Sequence, residues 1–266
     1  MLRQSLQPET VSGLEWLQAF PQIDSTNRYL LDQPGPAPGC FQVVLADYQT
    51  AGRGRMGKSW RAPPASSICL SVAYTFQSRQ SNLSSLCLAT GVAVVRVLRE
   101  LQVPDVTLKW PNDILVNDAK LGGILIETRS ATGANPIAIT GLGLNVDLAG
   151  ASAEDIAPDR AGPITDLRRC VDSLPERATI VALLIDALCG ALRRYDAQGF
   201  AAFIEDWNRS DWLRGRHTAV DTAAGRIAGA AAGVDADGAL QLMTQEGRRS
   251  VRSGSIVLPV PASAKP

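Results

Sequence analysis

Residues 109–127 read KWPNDILVNDAKLGGILIE, and their alternation of aliphatic runs with turn residues sets the architecture. Strands are predicted at Val106 to Trp110, Ile114 to Val116 and Leu121 to Glu127, with Asn117-Asp118 as the tight turn between the last two, because Asn and Asp tolerate the left-handed backbone that a two-residue hairpin demands. Upstream, Leu83 to Leu101 places Leu83, Leu86, Cys87, Thr90, Val94, Val97, Leu98 and Leu101 at helical spacing and leaves Arg96, Arg99 and Glu100 outside, the pattern of an amphipathic core helix. Further strands are expected at Leu14 to Phe20, Phe41 to Ala46, Ile68 to Tyr74 and Ile137 to Val146. Asp24-Ser25-Thr26-Asn27 reads as the N-cap of a helix holding Tyr29, Leu30 and Leu31, and Pro34 to Gly39 as a loop.

Beyond the last of these strands, Ala149 to Pro163 is expected to be loop, and Glu176 to Tyr195 and Phe200 to Asn208 to be helices. After Trp212 the texture changes to short alternating runs split by Gly225, Gly229, Gly233, Gly238, Gly247 and Gly254, which predicts a small β-barrel. The expected fold is α+β: a mixed-sheet domain over residues 1–211 and a small barrel over residues 212–266.

Composition narrows the function. The 266 residues are 45% hydrophobic and 20% charged, with 26 basic residues against 26 acidic ones, so there is no global positive field to drive nucleic-acid binding. No apolar run is long enough to span a membrane and the amino terminus lacks the apolar core of a signal peptide, so a cytoplasmic address is expected, with neither membrane nor DNA as partner. Five cysteines, Cys40, Cys69, Cys87, Cys170 and Cys189, stand singly and read as buried small hydrophobes. One histidine, His217, makes histidine-centred catalysis and His-based zinc sites poor candidates.

Gly52-Arg53-Gly54-Arg55-Met56-Gly57-Lys58-Ser59 matches the P-loop pattern G-x-x-x-x-G-K-[ST] letter for letter. A P-loop requires a helix directly after it, to aim N–H groups and a positive dipole end at phosphates. Here Trp60-Arg61-Ala62-Pro63-Pro64 follows, and each proline would cost a helix interior about 3 kcal/mol. What is left is a flexible glycine and arginine loop suited to wrapping an anion, or a solvated basic loop of no consequence.

Four segments in one order then carry a resemblance: Asp24-Ser25-Thr26-Asn27; Gln49-Thr50-Ala51-Gly52-Arg53-Gly54-Arg55 with Trp60; Lys109-Trp110-Pro111-Asn112-Asp113 with Lys120-Leu121-Gly122-Gly123-Ile124-Leu125-Ile126-Glu127; and Gly141-Leu142-Gly143-Leu144-Asn145-Val146. Together they resemble the biotin protein ligases. The resemblance implies a catalytic α/β domain with an SH3-like C-terminal barrel. It also implies ATP, biotin and Mg²⁺, biotinyl-5′-AMP as intermediate, and transfer to a lysine of a biotin carboxyl carrier of acetyl-CoA carboxylase or another biotin-dependent carboxylase.

Residue by residue, the resemblance puts Ser25, Thr26, Asn27 and Gln49 around the biotin ureido group, where short polar side chains would otherwise be plain helix caps. It puts Arg53, Gly54 and Arg55 in a lid over biotin and its adenylate, excluding water from a hydrolysable acyl phosphate. Trp60 is implied to stack on adenine rather than merely pack. Lys120 is implied to hold the reacting carboxylate and phosphate and, with Arg55, to be catalytic. Asn112, Asp113 and Asn145 are implied to face the nucleotide, with Asp113 as the Mg²⁺ carboxylate, and Gly141 and Gly143 to form a wall of the biotin pocket. The proton of the attacking lysine is left to Asp113 or to solvent.

The chain departs from the family pattern at Met56 and Lys58, where arginines are common, and at Gly254-Ser255-Ile256-Val257-Leu258-Pro259, which lacks the usual terminal arginine. Both departures put part of the anion grip in doubt. Some biotin ligases carry an amino-terminal winged helix and double as repressors; with 23 residues before Asp24, no operator binding is expected here. Lipoate ligases and octanoyl transferases share the fold, and a biotin-binding sensor without catalysis is the rival of another class. Whether the molecule is a monomer or a homodimer is left open.

Overall fold

The structure is a computed structural model, described over residues 2–78, 83–130, 134–149, 151, 156 and 162–257. Seven strands, β1 (Leu14–Ile23), β2 (Phe41–Gln49), β3 (Ser67–Thr75), β4 (Val106–Lys109), β5 (Asp113–Val116), β6 (Ala119–Arg129) and β7 (Ile137–Asn145), form one sheet in the order β1-β2-β3-β7-β6-β5-β4. Only β1 and β2 run parallel; every other neighbour is antiparallel, so the sheet is mixed. A second, five-stranded antiparallel sheet follows, ordered β11-β10-β9-β8-β12, from β8 (His217–Thr222), β9 (Gly225–Val234), β10 (Leu240–Thr244), β11 (Gly247–Val251) and β12 (Ser255–Val257). The α+β expectation holds.

The two faces of the large sheet have separate duties. On one, Ile68, Leu70 and Val72 of β3 and Leu142 and Leu144 of β7 join a core roofed by two long helices. These are α3 (Leu86–Glu100) and α5 (Arg177–Gln198), and they come after the short α1 (Pro8–Gly13), α2 (Thr26–Asp32) and α4 (Leu167–Cys170) or between them. Leu86, Leu88, Val94, Val95 and Leu98 are buried on α3, and each such side chain contributes about 1.5–3 kcal/mol on leaving water. On the other face, α2 covers only one end: Leu30 packs on Val44, Ala73 and Ile139. The rest of that face is left for the site.

The expected elements appear with shifted ends. β1 runs on to Ile23, α3 starts at Leu86 rather than Leu83, and Phe200 to Asn208 divides into a 3₁₀ turn (Phe200–Phe203) and α6 (Ile204–Ser210). Most of the expected loop from Ala149 to Pro163 lies outside the described residues. The Asn117-Asp118 turn is as expected, with φ of 47° and 63° and Val116 paired to Ala119. Trp60 to Pro64 is not helical, so the P-loop match has no helix behind it. Cys69, Cys87 and Cys189 are buried as expected, whereas Cys40 and Cys170 are half-buried.

The two sheets are clasped by tryptophans. Trp212 N–H donates to the Leu108 carbonyl at 2.9 Å, and Trp110 Nε1–H donates to the Gly238 carbonyl at 3.1 Å. The Arg216 guanidinium lies 4.1 Å from the Trp212 ring centre and Lys109 Nζ 5.7 Å from it. Gly238, with φ of 78°, sits so close to α3 that a Cβ would lie 2.6 Å from Ser85 Cβ. Asp211, at the crossing point, is pushed up to about 6 by burial, and its Oδ2 has no hydrogen-bond partner among the described residues. Among the described residues no helix is long and apolar enough to cross a membrane.

Candidate functional site

The site is floored by one face of β7. Gly141, Gly143 and Asn145 alternate on that face, spanning ~13 Å at the usual strand rise. Pairing across the sheet extends the floor sideways. Gly143 is flanked by Cys69 of β3 and Gly123 of β6, and Gly123 in turn by Asp113 of β5, while Gly141 is flanked by Ser71 and Leu125. The floor is built from small residues so that larger side chains can lie flat on it. A Cβ at Gly141 would lie 2.3 Å from Asn27 Oδ1, and one at Gly143 2.5 Å from the Trp60 ring. These two glycines therefore admit two side chains, Asn27 and Trp60.

Above the floor is a cavity of about 370 Å³, and every residue given a role from the sequence lines it. One end belongs to α2. Ser25 caps this helix, its Oγ accepting from Arg28 N at 3.4 Å. Thr26 N–H donates to Gln49 Oε1 at 2.8 Å, and Ser71 Oγ lies 2.7 Å from both Thr26 Oγ1 and Asn27 Oδ1. At the other end, Asn145 Nδ2 donates to the Thr165 carbonyl at 3.0 Å while its Oδ1 is buried with no partner among the described residues. Leaving such an acceptor unmade costs about 1–3 kcal/mol unless a ligand supplies the donor.

Between the ends stand the cations. A β-bulge places Leu121 in the core and turns Lys120 to the cavity: Ile114 pairs with Gly122 and Leu115 with Lys120, so Leu121 is the unpaired residue. Lys120 Nζ lies 2.6 Å from Asp113 Oδ1 and 5.7 Å from the Trp60 ring centre. A Cβ on Gly123 would lie 3.2 Å from that Nζ, so the bare glycine backbone gives the lysine its lane. Asn112 is held by a reciprocal pair, its Nδ2 donating to Ile124 O and its carbonyl accepting from Ile124 N, each at 3.0 Å.

The arginine loop is more ordered than its glycines suggested. It folds as a hairpin in which Gly54 N donates to Lys58 O at 2.7 Å, Trp60 N donates to Gly52 O at 2.9 Å, and Arg53 bridges to Ser59. Met56 takes φ of 55°, a left-handed conformation uncommon for its type, and is 70% exposed at the tip. Arg53, Gly54 and Arg55 line the cavity, whereas Arg53 also reaches outward to Glu127 Oε1 at 3.0 Å.

Three contributions were not legible in the sequence reading. Ser71 and Cys69 come to the floor through strand register. Glu127 was quoted within a motif but given no task. Gly254, Ser255 and Ile256 of the second sheet close the cavity from above, with Ser255 Oγ 3.4 Å from Met56 Sδ. The thiols near the site are not nucleophiles: burial raises both Cys69 and Cys87, the latter to about 12 despite the Arg55 charge.

Among the described residues no three His, Cys, Asp or Glu side chains gather as a metal cluster, and Asp113 is the one carboxylate on the cavity wall. That donor set fits a Mg²⁺ carried in on a triphosphate, whose phosphates and waters supply most of its ligands, with Asp113 as a single protein oxygen.

Comparison with known proteins agrees with this geometry. The profile of the Biotin/lipoate A/B protein ligase family matches residues 19–145, and that of the Biotin protein ligase C terminal domain matches residues 215–258. The chain is 34% identical over 228 residues to the "Bifunctional ligase/repressor BirA" of Escherichia coli (strain K12), covering 86% of this chain and 69% of that protein. It is 31% identical over 247 residues to the "Biotin--[acetyl-CoA-carboxylase] ligase" of Paracoccus denitrificans, covering 88% and 97%. In fold it matches the biotin protein ligase from Aquifex aeolicus in complex with biotin and ATP, with a TM-score of 0.76 at 24% identity, covering 91% of this chain and 98% of that one. The chain belongs to the Biotin/lipoate A/B protein ligase family and carries the C-terminal domain of a biotin protein ligase.

Proposed function

We propose that this protein joins biotin to ATP as biotinyl-5′-AMP and passes the biotinyl group to a lysine of a biotin carboxyl carrier protein or domain. The observation that carries this reading is the single glycine-floored strip of β7, with a neutral polar seat at Gly141, cations at its middle, and an unsatisfied acceptor at Asn145. A neutral ureido ring, an anionic acyl phosphate and an adenine base need those three environments in that order. Ser25, Thr26, Asn27 and Gln49 hold the ureido ring, and Trp60, Asn112 and Asn145 hold the nucleotide, the Asn145 Oδ1 accepting from an amino group.

In the first step a biotin carboxylate oxygen attacks the α-phosphorus of ATP, and the bond from that phosphorus to pyrophosphate breaks. Lys120, Arg53 and Arg55 offset the negative charge that builds at the α-phosphate, an effect whose loss typically costs about 2.7–4 kcal/mol. Asp113 would hold the Mg²⁺ that accompanies ATP, and that ion, when bound, would supply electrostatic stabilisation for the departing pyrophosphate. In the second step the carrier lysine nitrogen attacks the acyl carbon, AMP leaves, and the amine gives up a proton. The lid excludes water while the adenylate waits. In this reading the domain of residues 1–211 would hold the substrates, while Gly254, Ser255 and Ile256 of the second domain border the cavity. The carrier would belong to acetyl-CoA carboxylase or another biotin-dependent carboxylase.

Pyrophosphate exchange into ATP by the purified protein, with Mg²⁺ and biotin, lipoate or octanoate as the acid, tests this reading. Exchange with biotin alone is expected. Exchange with lipoate would move the chain to the sister branch, and tight biotin binding without exchange would make it a sensor.

A further inference from the structure

Glu127 does not line the main cavity; it stands on the neighbouring groove behind the arginine lid, with Arg53 on the same wall. Its carboxylate is nonetheless the terminus of a hydrogen-bond chain that reaches the ligand seat. Oε1 takes the Arg53 guanidinium at 3.0 Å, and Oε2 accepts from Asn27 Nδ2 at 2.9 Å. The same Nδ2 lies 3.5 Å from the Leu125 carbonyl. On its other side, Asn27 Oδ1 accepts from Ser71 Oγ at 2.7 Å. Asn27 is 3% exposed, so both ends of its amide must be paired within the protein or by a ligand.

An asparagine amide can turn either way, but a carboxylate is acceptor-only. Glu127 therefore forces Asn27 to present its NH₂ outward, consuming both amide hydrogens on Glu127 and Leu125. What faces Ser71 and the cavity is Oδ1, with one lone pair still open. Resting on the reading proposed above, we propose that Glu127 is a positioning residue. It fixes the Asn27 amide so that the seat offers an acceptor to a ureido N–H, and through Arg53 it ties the lid to that seat. The carboxylate touches no substrate; it decides which way its neighbours point. A ring without N–H donors, such as a dithiolane, gains nothing from that acceptor and leaves its second lone pair unused, so the same device favours biotin over lipoate.

Glu127→Gln keeps the shape and removes the charge and the acceptor-only constraint. In pyrophosphate exchange it is expected to raise the KM for biotin about ten- to a hundredfold, the usual effect of losing a charge-assisted hydrogen bond. The KM for ATP is expected to stay within about threefold, and adenylate dissociation to quicken as Arg53 is untied. The swap Asn27→Asp with Glu127→Gln restores an oriented acceptor, since the glutamine amide now donates to the aspartate. It is expected to recover biotin KM in part but not the slow adenylate release, because Arg53 stays untied. An unchanged biotin KM in Glu127→Gln, or a KM raised equally for biotin and ATP with a lowered melting temperature that the swap does not repair, would overturn the proposal. Failure of the unmodified protein to exchange with biotin would instead overturn the proposed function.

Discussion

The two ends of the cavity are finished to different degrees. At the α2 end, Gln49, Thr26, Ser71, Asn27, Glu127 and Arg53 form one chain of hydrogen bonds closed within the protein. At the Asn145 end, one amide donor is used and its acceptor is left open in a fully buried position. A closed network holds its shape without a ligand and so preorganises the seat; an orphaned acceptor costs free energy until a ligand donates to it. The first end can select before anything is bound, and the second gains most from being filled. Lys120 stands between them over Gly123, where the bond is made.

The comparison is broken most severely at its centre. Replacing Lys120 by Met is expected to lower exchange about 100- to 1,000-fold, since the fixed charge for the α-phosphate is lost and Asp113 is left without that partner. The deficit should appear in rate rather than in biotin binding, as read by isothermal calorimetry beside the exchange assay. Next in size, the two floor glycines separate the ends. Gly141→Ala drives a methyl into Asn27 Oδ1 and is expected to raise the KM for biotin about tenfold; Gly143→Ala drives one into Trp60 and is expected to do the same for ATP. If each variant weakens both substrates equally, the division of the cavity along β7 is wrong.

The smallest effect tests whether an orphan outside the cavity behaves differently from one inside it. Asp211 Oδ2 is also unpaired, at the junction of the sheets and away from the cavity wall. Its folded pKa of about 6 stands above the unfolded 3.8, so the folded state holds the extra proton between those values. This contribution to stability is full below about pH 4 and is lost as pH rises through 6. Asp211→Asn keeps the acceptor for Leu213 N and removes the buried charge. It is expected to stabilise the protein at pH 8 by about 1–2 kcal/mol, to change little at pH 4, and to leave both KM values alone. Denaturant unfolding at the two pH values checks this.

Much of this molecule is legible in local chemistry. Proline after the Gly52–Ser59 loop rules out the helix a P-loop needs, Asn117-Asp118 sets the hairpin that carries Lys120, and alternation of Gly141, Gly143 and Asn145 puts them on one strand face. These are short-range rules of φ, period and turn type, and one sequence suffices to apply them. The fourteen residues assigned roles were found through ordered motifs, and all of them line one cavity.

Register, by contrast, is a property of pairs of strands far apart in the chain. Only the fold sets Ser71 beside Gly141 and Cys69 beside Gly143, brings Glu127 within reach of both Asn27 and Arg53, and lowers Ser255 onto Met56. The bulge at Leu121 is of the same kind, since it exists only as a mismatch between two strands. The sequence by itself determined which side chains carry the chemistry, because residue type and local spacing encode donors, charges and turns. Tertiary structure alone decided which way they point, because an amide or a guanidinium is oriented by partners that long-range packing delivers.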